Sequence, residues 1–185
     1  MSALKVKFAA EVIRAGGVIA YPTESVWGLG CDPHNRAAVS RLLALKQRDP
    51  AKGLILVAAD MAQFSPYLKG LSRQHLSQLS LAWPGPLTFL VPDNGYAPRL
   101  ITGKFKSVAL RVSAHKQVAD LCRAFGGPIV STSANLAGLP TPRWPWLIHQ
   151  QLGQGTDFLL PGCLGRSAKP SEIRDLITDK VIRQG

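Results

Sequence analysis

Residues 8–25 read FAAEVIRAGGVIAYPTES, and the period of the pattern changes in the middle. Phe8, Ala9, Val12 and Ile13 recur at helical spacing until Gly16-Gly17 interrupts them. Residues 18–21 then form a short apolar run ended by Pro22, as a buried strand does. Helix, turn and strand in one short stretch, followed by the polar residues Thr23, Glu24 and Ser25, suggest an α/β sheet with a loop at the strand end, where ligand loops of such sheets lie.

The same alternation continues outward. Ala38, Val39, Leu42, Leu43 and Leu45 predict a second helix that ends in Lys46-Gln47-Arg48-Asp49-Pro50, and residues 54–58 predict a strand. A third helix is expected over 72–83, stopped by Pro84-Gly85-Pro86, with strands at 87–91 and 108–112. Val118, Ala119, Leu121, Cys122 and Phe125 share a helical face closed by Gly126-Gly127, and Ile129 and Val130 start another strand. Residues 131–142 read as a polar loop, 146–152 as a helix, and the surroundings of Phe158, Ile173 and Val181 as short strands. Short C-terminal connections argue for a mixed sheet, and no linker divides the chain, so one domain over 1–185 is expected.

A chain of 185 residues, 46% hydrophobic and 18% charged, is neither disordered nor dependent on staples, because a chain of this length buries roughly 70% of its unfolded surface. No apolar run reaches the ~18 residues of a bilayer span, and the first turns carry Lys5, Glu11 and Arg14. A soluble, cytoplasmic protein without membrane contact is therefore expected. Cys31, Cys122 and Cys163 lack any metal-ligand spacing and read as reduced structural thiols. The formal net charge is +11, with 10 basic and 5 acidic residues in 1–92 and 12 and 6 in 93–185, so the excess is spread evenly and favours polyanionic partners.

Phosphate-binding glycine motifs fail: Gly28-Leu29-Gly30 is followed by Pro33 where a third glycine is needed, and Gly103-Lys104 lacks the rest of a P-loop. Three polar segments remain. Thr23 and Ser25 either offer hydroxyls to a ligand or cap a turn. Lys46 and Arg48 either hold phosphate oxygens or complement a helix end. Ser131-Thr132-Ser133-Ala134-Asn135 carries more hydroxyl and amide groups than a cap needs, which favours phosphate binding or metal contact through oxygens. Arg111 in an apolar strand needs a partner, either a ligand carboxylate or an internal ion pair. Ser171, Arg174 and Arg183 can close a site from the C-terminus, or form a fraying tail. Trp144 and Trp146, flanked by prolines, read as packing anchors.

The ordered set Tyr21-Pro-Thr-Glu, Lys46-x-Arg48, Leu110-Arg111-Val112, Ser131-Thr-Ser-Ala-Asn135, and residues 170–175 with Arg183 resembles the YrdC-like threonylcarbamoyl-AMP synthase family, in its short form. The resemblance implies a twisted open sheet with flanking helices around a basic cavity. It also implies a nucleotidyltransferase that turns ATP, L-threonine and bicarbonate into threonylcarbamoyl-AMP and pyrophosphate. A partner transferase complex would then use that product at adenosine 37 of tRNAs reading codons that begin with A. Residue by residue, it assigns Lys46 and Arg48 to catalysis and phosphate binding, and Ser131, Ser133, Asn135 and Arg183 to the nucleotide. It likewise implies Mg²⁺ beside Ser133 and Asn135 through the phosphates, and Tyr21, Thr23, Arg111 and Ser171 as contacts for threonine or bicarbonate. Asp49 departs from a common proline, and Lys52-Gly53-Leu54 departs from the Asn-Pro-Leu of longer members. A non-catalytic protein binding tRNA or ribosomal RNA through its basic surface is the second reading.

Overall fold

The computed structural model describes residues 3–153, 155–165 and 171–185. Six helices and nine strands are found among them: α1 (Ala3–Arg14), β1 (Ile19–Pro22), β2 (Trp27–Gly30), α2 (Arg36–Leu45), β3 (Ile55–Ala58), α3 (Arg73–Ala82), β4 (Leu87–Pro92), α4 (Arg99–Thr102), β5 (Ser107–Val112), α5 (Lys116–Phe125), β6 (Ile129–Ser133), α6 (Pro145–Leu152), β7 (Phe158–Leu159), β8 (Glu172–Asp175) and β9 (Val181–Arg183). The strands form one sheet in the order β7-β1-β2-β6-β3-β5-β4-β8-β9. Three pairings are parallel, β1 with β7, β3 with β5 and β4 with β8, and the others antiparallel, so the sheet is mixed as the short connections imply.

Strand periodicity divides the interior into two cores. Ala20, Leu29, Leu56, Phe89, Leu110 and Val130 face the side of α2 and α3. Their neighbours in sequence, Ile19, Tyr21, Val57 and Ile129, face the opposite side and pack on Val6, Ala9, Ala10 and Ile13 of α1 and on Val118, Leu121 and Cys122 of α5. The α1 stripe is the one the opening sequence predicts. Ser72 caps α3 through its hydroxyl on the His75 amide, and Gly126, left-handed at φ 94, ends α5.

Two expectations need correction. Residues 131–133 belong to β6 and not to a loop, because their backbone pairs with β2 and β3. The tryptophans of the proline-rich segment do not anchor packing: Trp144 and Trp146 are each 63% exposed, and Ile148 and Leu152 bury α6 instead. One strand escapes the sequence patterns. β2 reads Trp-Gly-Leu-Gly, and its glycines serve close approach: a Cβ on Gly30 would lie 2.7 Å from the Val130 oxygen and 2.8 Å from the Tyr21 ring. Among the described residues, no helix is long and apolar enough to cross a membrane.

Candidate active site

On the sheet face covered by α1 and α5, the same side-chain parity continues past the helices. Ile129 of β6 and Val57 of β3 lie under them, whereas Ser131, Ser133, Ile55 and Gly28 lie beyond and line a cavity of about 220 Å³. Polar residues therefore occupy sheet positions that would be apolar if a helix covered them. Arg111 of β5, Pro86, Ser171 and Arg183 close the cavity from the other strands, and the turn of Thr23, Glu24, Ser25 and Val26 closes it after β1. A second, more apolar cavity, also about 220 Å³, shares Arg48, Leu54, Ile55 and Arg183 and adds Leu90, Ile101, Phe105 and Ile173.

The Lys46-x-Arg48 spacing has a backbone cause. α2 ends in a paired-hydrogen-bond turn in which the Arg48 amide donates to the Leu43 oxygen and the Gln47 amide to the Ala44 oxygen, both at 3.0 Å. Gln47 takes the left-handed conformation at φ 50 that this turn requires. The two cations consequently have different surroundings. Arg48 lines both cavities and donates from Nη2 to the Gly53 oxygen at 2.9 Å. Asp49 Oδ1 accepts the Ala51 amide at 2.8 Å and so opens the short 3₁₀ turn that leads to Gly53.

Lys46 is only 3% exposed and is absent from the cavity lining. Its ammonium donates to the backbone oxygens of Ser133 and of Asn135, the latter at 2.6 Å, while its own carbonyl accepts the Ala137 amide. Burial and the nearby Arg48 push its pKa down to about 8. In this structure the Lys46 ammonium thus holds the end of β6 and the loop that follows it. Asn135 is also committed: Oδ1 accepts the Ser133 hydroxyl at 2.5 Å, and Nδ2 donates to the Leu136 and Leu139 oxygens. Ser131 and Ser133 do line the cavity.

Tyr21 is wholly buried, with its hydroxyl 3.4 Å from the Val130 oxygen, and lies outside the cavity lining. Thr23 lines the cavity, and its hydroxyl donates to the Val26 oxygen at 2.7 Å across the turn. Arg111 takes the internal ion pair, Nη1 to Glu24 Oε1 at 2.8 Å, and still lines the cavity. Ser171 accepts the Thr88 hydroxyl at 2.9 Å, and Arg183 donates to the Ser171 oxygen at 2.7 Å. Burial and the guanidiniums of Arg111 and Arg48 push the Arg183 pKa down, and all three residues line the cavity. Arg174 turns away to Glu172 and Asp179. Pro170 lies outside the described residues.

The sequence reading missed Glu24 as a site residue, although the unpartnered Arg111 was a signal that a carboxylate must face it. Thr132, from the polar segment named above, lines the cavity as well, and Thr141 does so unannounced. Three guanidiniums, one carboxylate and a set of hydroxyls suit a polyanionic ligand held by charge and by short polar contacts. Among the described residues, no three His, Cys, Asp or Glu side chains come together to hold a metal ion.

The Sua5/YciO/YrdC family model, described as "Telomere recombination", matches residues 11–185. A relative from Cellvibrio japonicus (strain Ueda107), named threonylcarbamoyl-AMP synthase, is 53% identical over 179 residues, 97% of this chain and 95% of its own. P. abyssi Sua5, solved in complex with L-threonine, superposes with a TM-score of 0.88 at 31% identity over 95% of this chain, which spans 52% of that longer one. E. coli YciO superposes with a TM-score of 0.86 at 30% identity, covering all of this chain and 90% of its own. With the match running through every strand of the sheet and every segment around the cavity, the chain belongs to the Sua5/YciO/YrdC family.

Proposed function

We propose that this protein is a nucleotidyltransferase that makes threonylcarbamoyl-AMP and pyrophosphate from L-threonine, bicarbonate and ATP. The observation that carries this reading is the convergence of Arg48, Arg111 and Arg183 on one hydroxyl-rimmed cavity. The name of the Cellvibrio relative and the threonine in the Sua5 complex support the choice of substrates.

The chemistry asks little of a protein base. Once the threonine nitrogen has lost a proton and bonded to the bicarbonate carbon, with one bicarbonate oxygen leaving as water, the resulting carbamate is already an oxygen nucleophile. Its oxygen attacks the α-phosphorus of ATP, the bond from that phosphorus to the bridging oxygen breaks, and pyrophosphate leaves with the electron pair. What the protein supplies is alignment and neutralisation of charge on the phosphates, which Arg48 and Arg183 provide as fixed donors. Ser131, Ser133 and Ser171 offer hydroxyl contacts small enough for close approach, and Lys46 fixes the strand end that carries Ser133. Mg²⁺ enters this reading with the nucleotide, held by phosphate oxygens, and supplies further charge neutralisation there.

The product would pass to a partner transferase complex acting on adenosine 37 of tRNA in the cytoplasm, and the +11 charge would favour RNA nearby. The purely RNA-binding reading is disfavoured, since a binding surface has no need of a cavity with a single buried ion pair. The test is incubation of the purified protein with ATP, Mg²⁺, L-threonine and labelled bicarbonate, omitting each in turn. Pyrophosphate and labelled threonylcarbamoyl-AMP should form only with all substrates present. Turnover of ATP without threonine, or none by folded protein that binds ATP, would overturn the assignment.

A further inference from the structure

The cavity suits anions, and one of its residues does not fit that purpose. Among the described lining residues, Glu24 is the single carboxylate beside three guanidiniums. Its Oε1 is fully used: it accepts from Arg111 Nη1 at 2.8 Å, the Ser113 hydroxyl at 2.7 Å and the Ala114 amide at 3.2 Å. Among the described residues, neither its Oε2, which is withdrawn from water, nor Arg111 Nε has a hydrogen-bond partner. A carboxylate present only to neutralise Arg111 would do so best as a two-pronged fork that engages both oxygens. Here the pair meets through one oxygen, and the other waits for a donor.

Burial works to raise the Glu24 pKa, but Arg111 and the Ser113 hydroxyl outweigh it and hold the carboxyl below its ordinary value, so it is charged at neutral pH. Among the groups that the proposed reaction brings in, phosphates, bicarbonate and the threonine carboxylate are all anionic. The threonine hydroxyl, the ribose hydroxyls and the adenine amine are neutral donors, and the one cationic group of the two organic substrates is the threonine α-ammonium, whose nitrogen must lose a proton before it bonds to carbon.

We propose that Glu24 receives the α-amino group of the amino-acid substrate on Oε2, while Arg111, Ser113 and the Ala114 amide hold Oε1 and so fix the carboxylate. This inference rests on the synthase reading above. It gives the cavity a polarity: the amine is drawn to the Glu24 turn after β1, and the phosphates to Arg48 and Arg183. A divalent cation is the competing occupant for a free carboxylate oxygen, but no second acid accompanies Glu24 in the lining.

The test compares wild type with Glu24→Gln and Glu24→Asp, measuring KM for L-threonine, bicarbonate and ATP. It also measures inhibition by 3-hydroxybutyrate, which is threonine without its amine, and binding of a non-hydrolysable ATP analogue as a control of folding. Glu24→Gln should raise the threonine KM about tenfold or more, the scale of a lost charge-assisted hydrogen bond, while leaving the other substrates and the deaminated analogue within about twofold. Glu24→Asp, which keeps the charge, should recover part of the loss. An unchanged threonine KM in folded Glu24→Gln overturns the proposal. So does an equal loss for threonine and its deaminated analogue, which would mean that Glu24 only positions Arg111, or a changed Mg²⁺ requirement with threonine unaffected. If Glu24→Gln does not fold, the same comparison with Glu24→Asp decides. Wild-type protein that binds the ATP analogue but forms no product from threonine would instead overturn the synthase reading.

Discussion

The ammonium of Lys46 lies 2.6 Å from the backbone oxygen of Asn135, and it also donates to that of Ser133, so one side chain at the end of α2 fixes the strand end that carries the cavity hydroxyls. Removing it leaves two buried carbonyls without their donor. Lys46→Met should lower the unfolding free energy by about 1–3 kcal/mol and weaken turnover through Ser133, with denaturant melts and steady-state kinetics as the readouts. Lys46→Arg should not restore activity, because a planar fork cannot replace a compact ammonium between two carbonyls.

The same lysine makes stability depend on pH. Its pKa falls on folding from 10.5 to about 8, so between these values the unfolded chain binds more protons than the folded one, and stability attributable to Lys46 rises with pH through that window. The thiols of Cys31 and Cys122, pushed up to about 12 by burial, act in the opposite sense above their ordinary pKa. The expected observable is therefore a difference: the advantage of wild type over Lys46→Met grows from pH 8 to 10. A constant difference would show that the ammonium is not burdened by burial.

Arg48 lines both cavities, and its bond to the Gly53 oxygen is its one side-chain hydrogen bond among the described residues. Arg48→Ala is expected to reduce kcat/KM by about a hundredfold or more while moving stability by less than about 1 kcal/mol. Kinetics close to wild type from the folded variant would remove Arg48 from the site.

Gln47 occupies a left-handed position, φ 50, that the turn after α2 needs and that glycine adopts without strain. Gln47→Gly should raise the unfolding free energy by about 0.5–1 kcal/mol and leave kinetics unchanged, because only the backbone is used there. A lower melting temperature would show that the Gln47 side chain contributes more than its conformation costs.

Trp144 and Trp146 stand mostly in solvent, in contrast to Trp27 at 2% exposure in the core. Alanine at either exposed position should change stability by less than about 0.5 kcal/mol, and Trp27→Ala should cost about 3–5 kcal/mol. Thermal melts of the three variants distinguish them directly.

Several features of the fold were legible before any coordinates because their causes are local. The α1 stripe of Val6, Ala9, Ala10 and Ile13 and its stop at Gly16 follow from helical spacing and a glycine break. The apolar runs at β3, β4 and β5 follow from burial on both faces. β2 was not legible, since two of its four residues are glycines chosen by the neighbouring Tyr21 ring and Val130 backbone, which no pattern along the strand encodes. In the site, Arg48, Arg111, Ser131, Ser133, Ser171 and Arg183 were read from segment chemistry and do line one cavity. Tyr21 and Lys46, read from the same segments, are buried outside its lining, and the Asn135 amide is held by the Leu136 and Leu139 oxygens, because residue type does not reveal where a side chain ends.

The sequence by itself determined the alternation of helices and strands, the mixed character of the sheet, the excess of positive charge and the polar segments that chemistry would require, all of which arise from interactions between near neighbours in the chain. Only the tertiary structure decided that Lys46 serves carbonyls 87 and 89 residues away, that Glu24 takes Arg111 while keeping one oxygen free, and that the tryptophans of the proline-rich segment stay in water. The physical reason is that hydrogen bonds, ion pairs and burial depend on which distant segments the sheet brings side by side, and that strand order is a property of the folded chain as a whole.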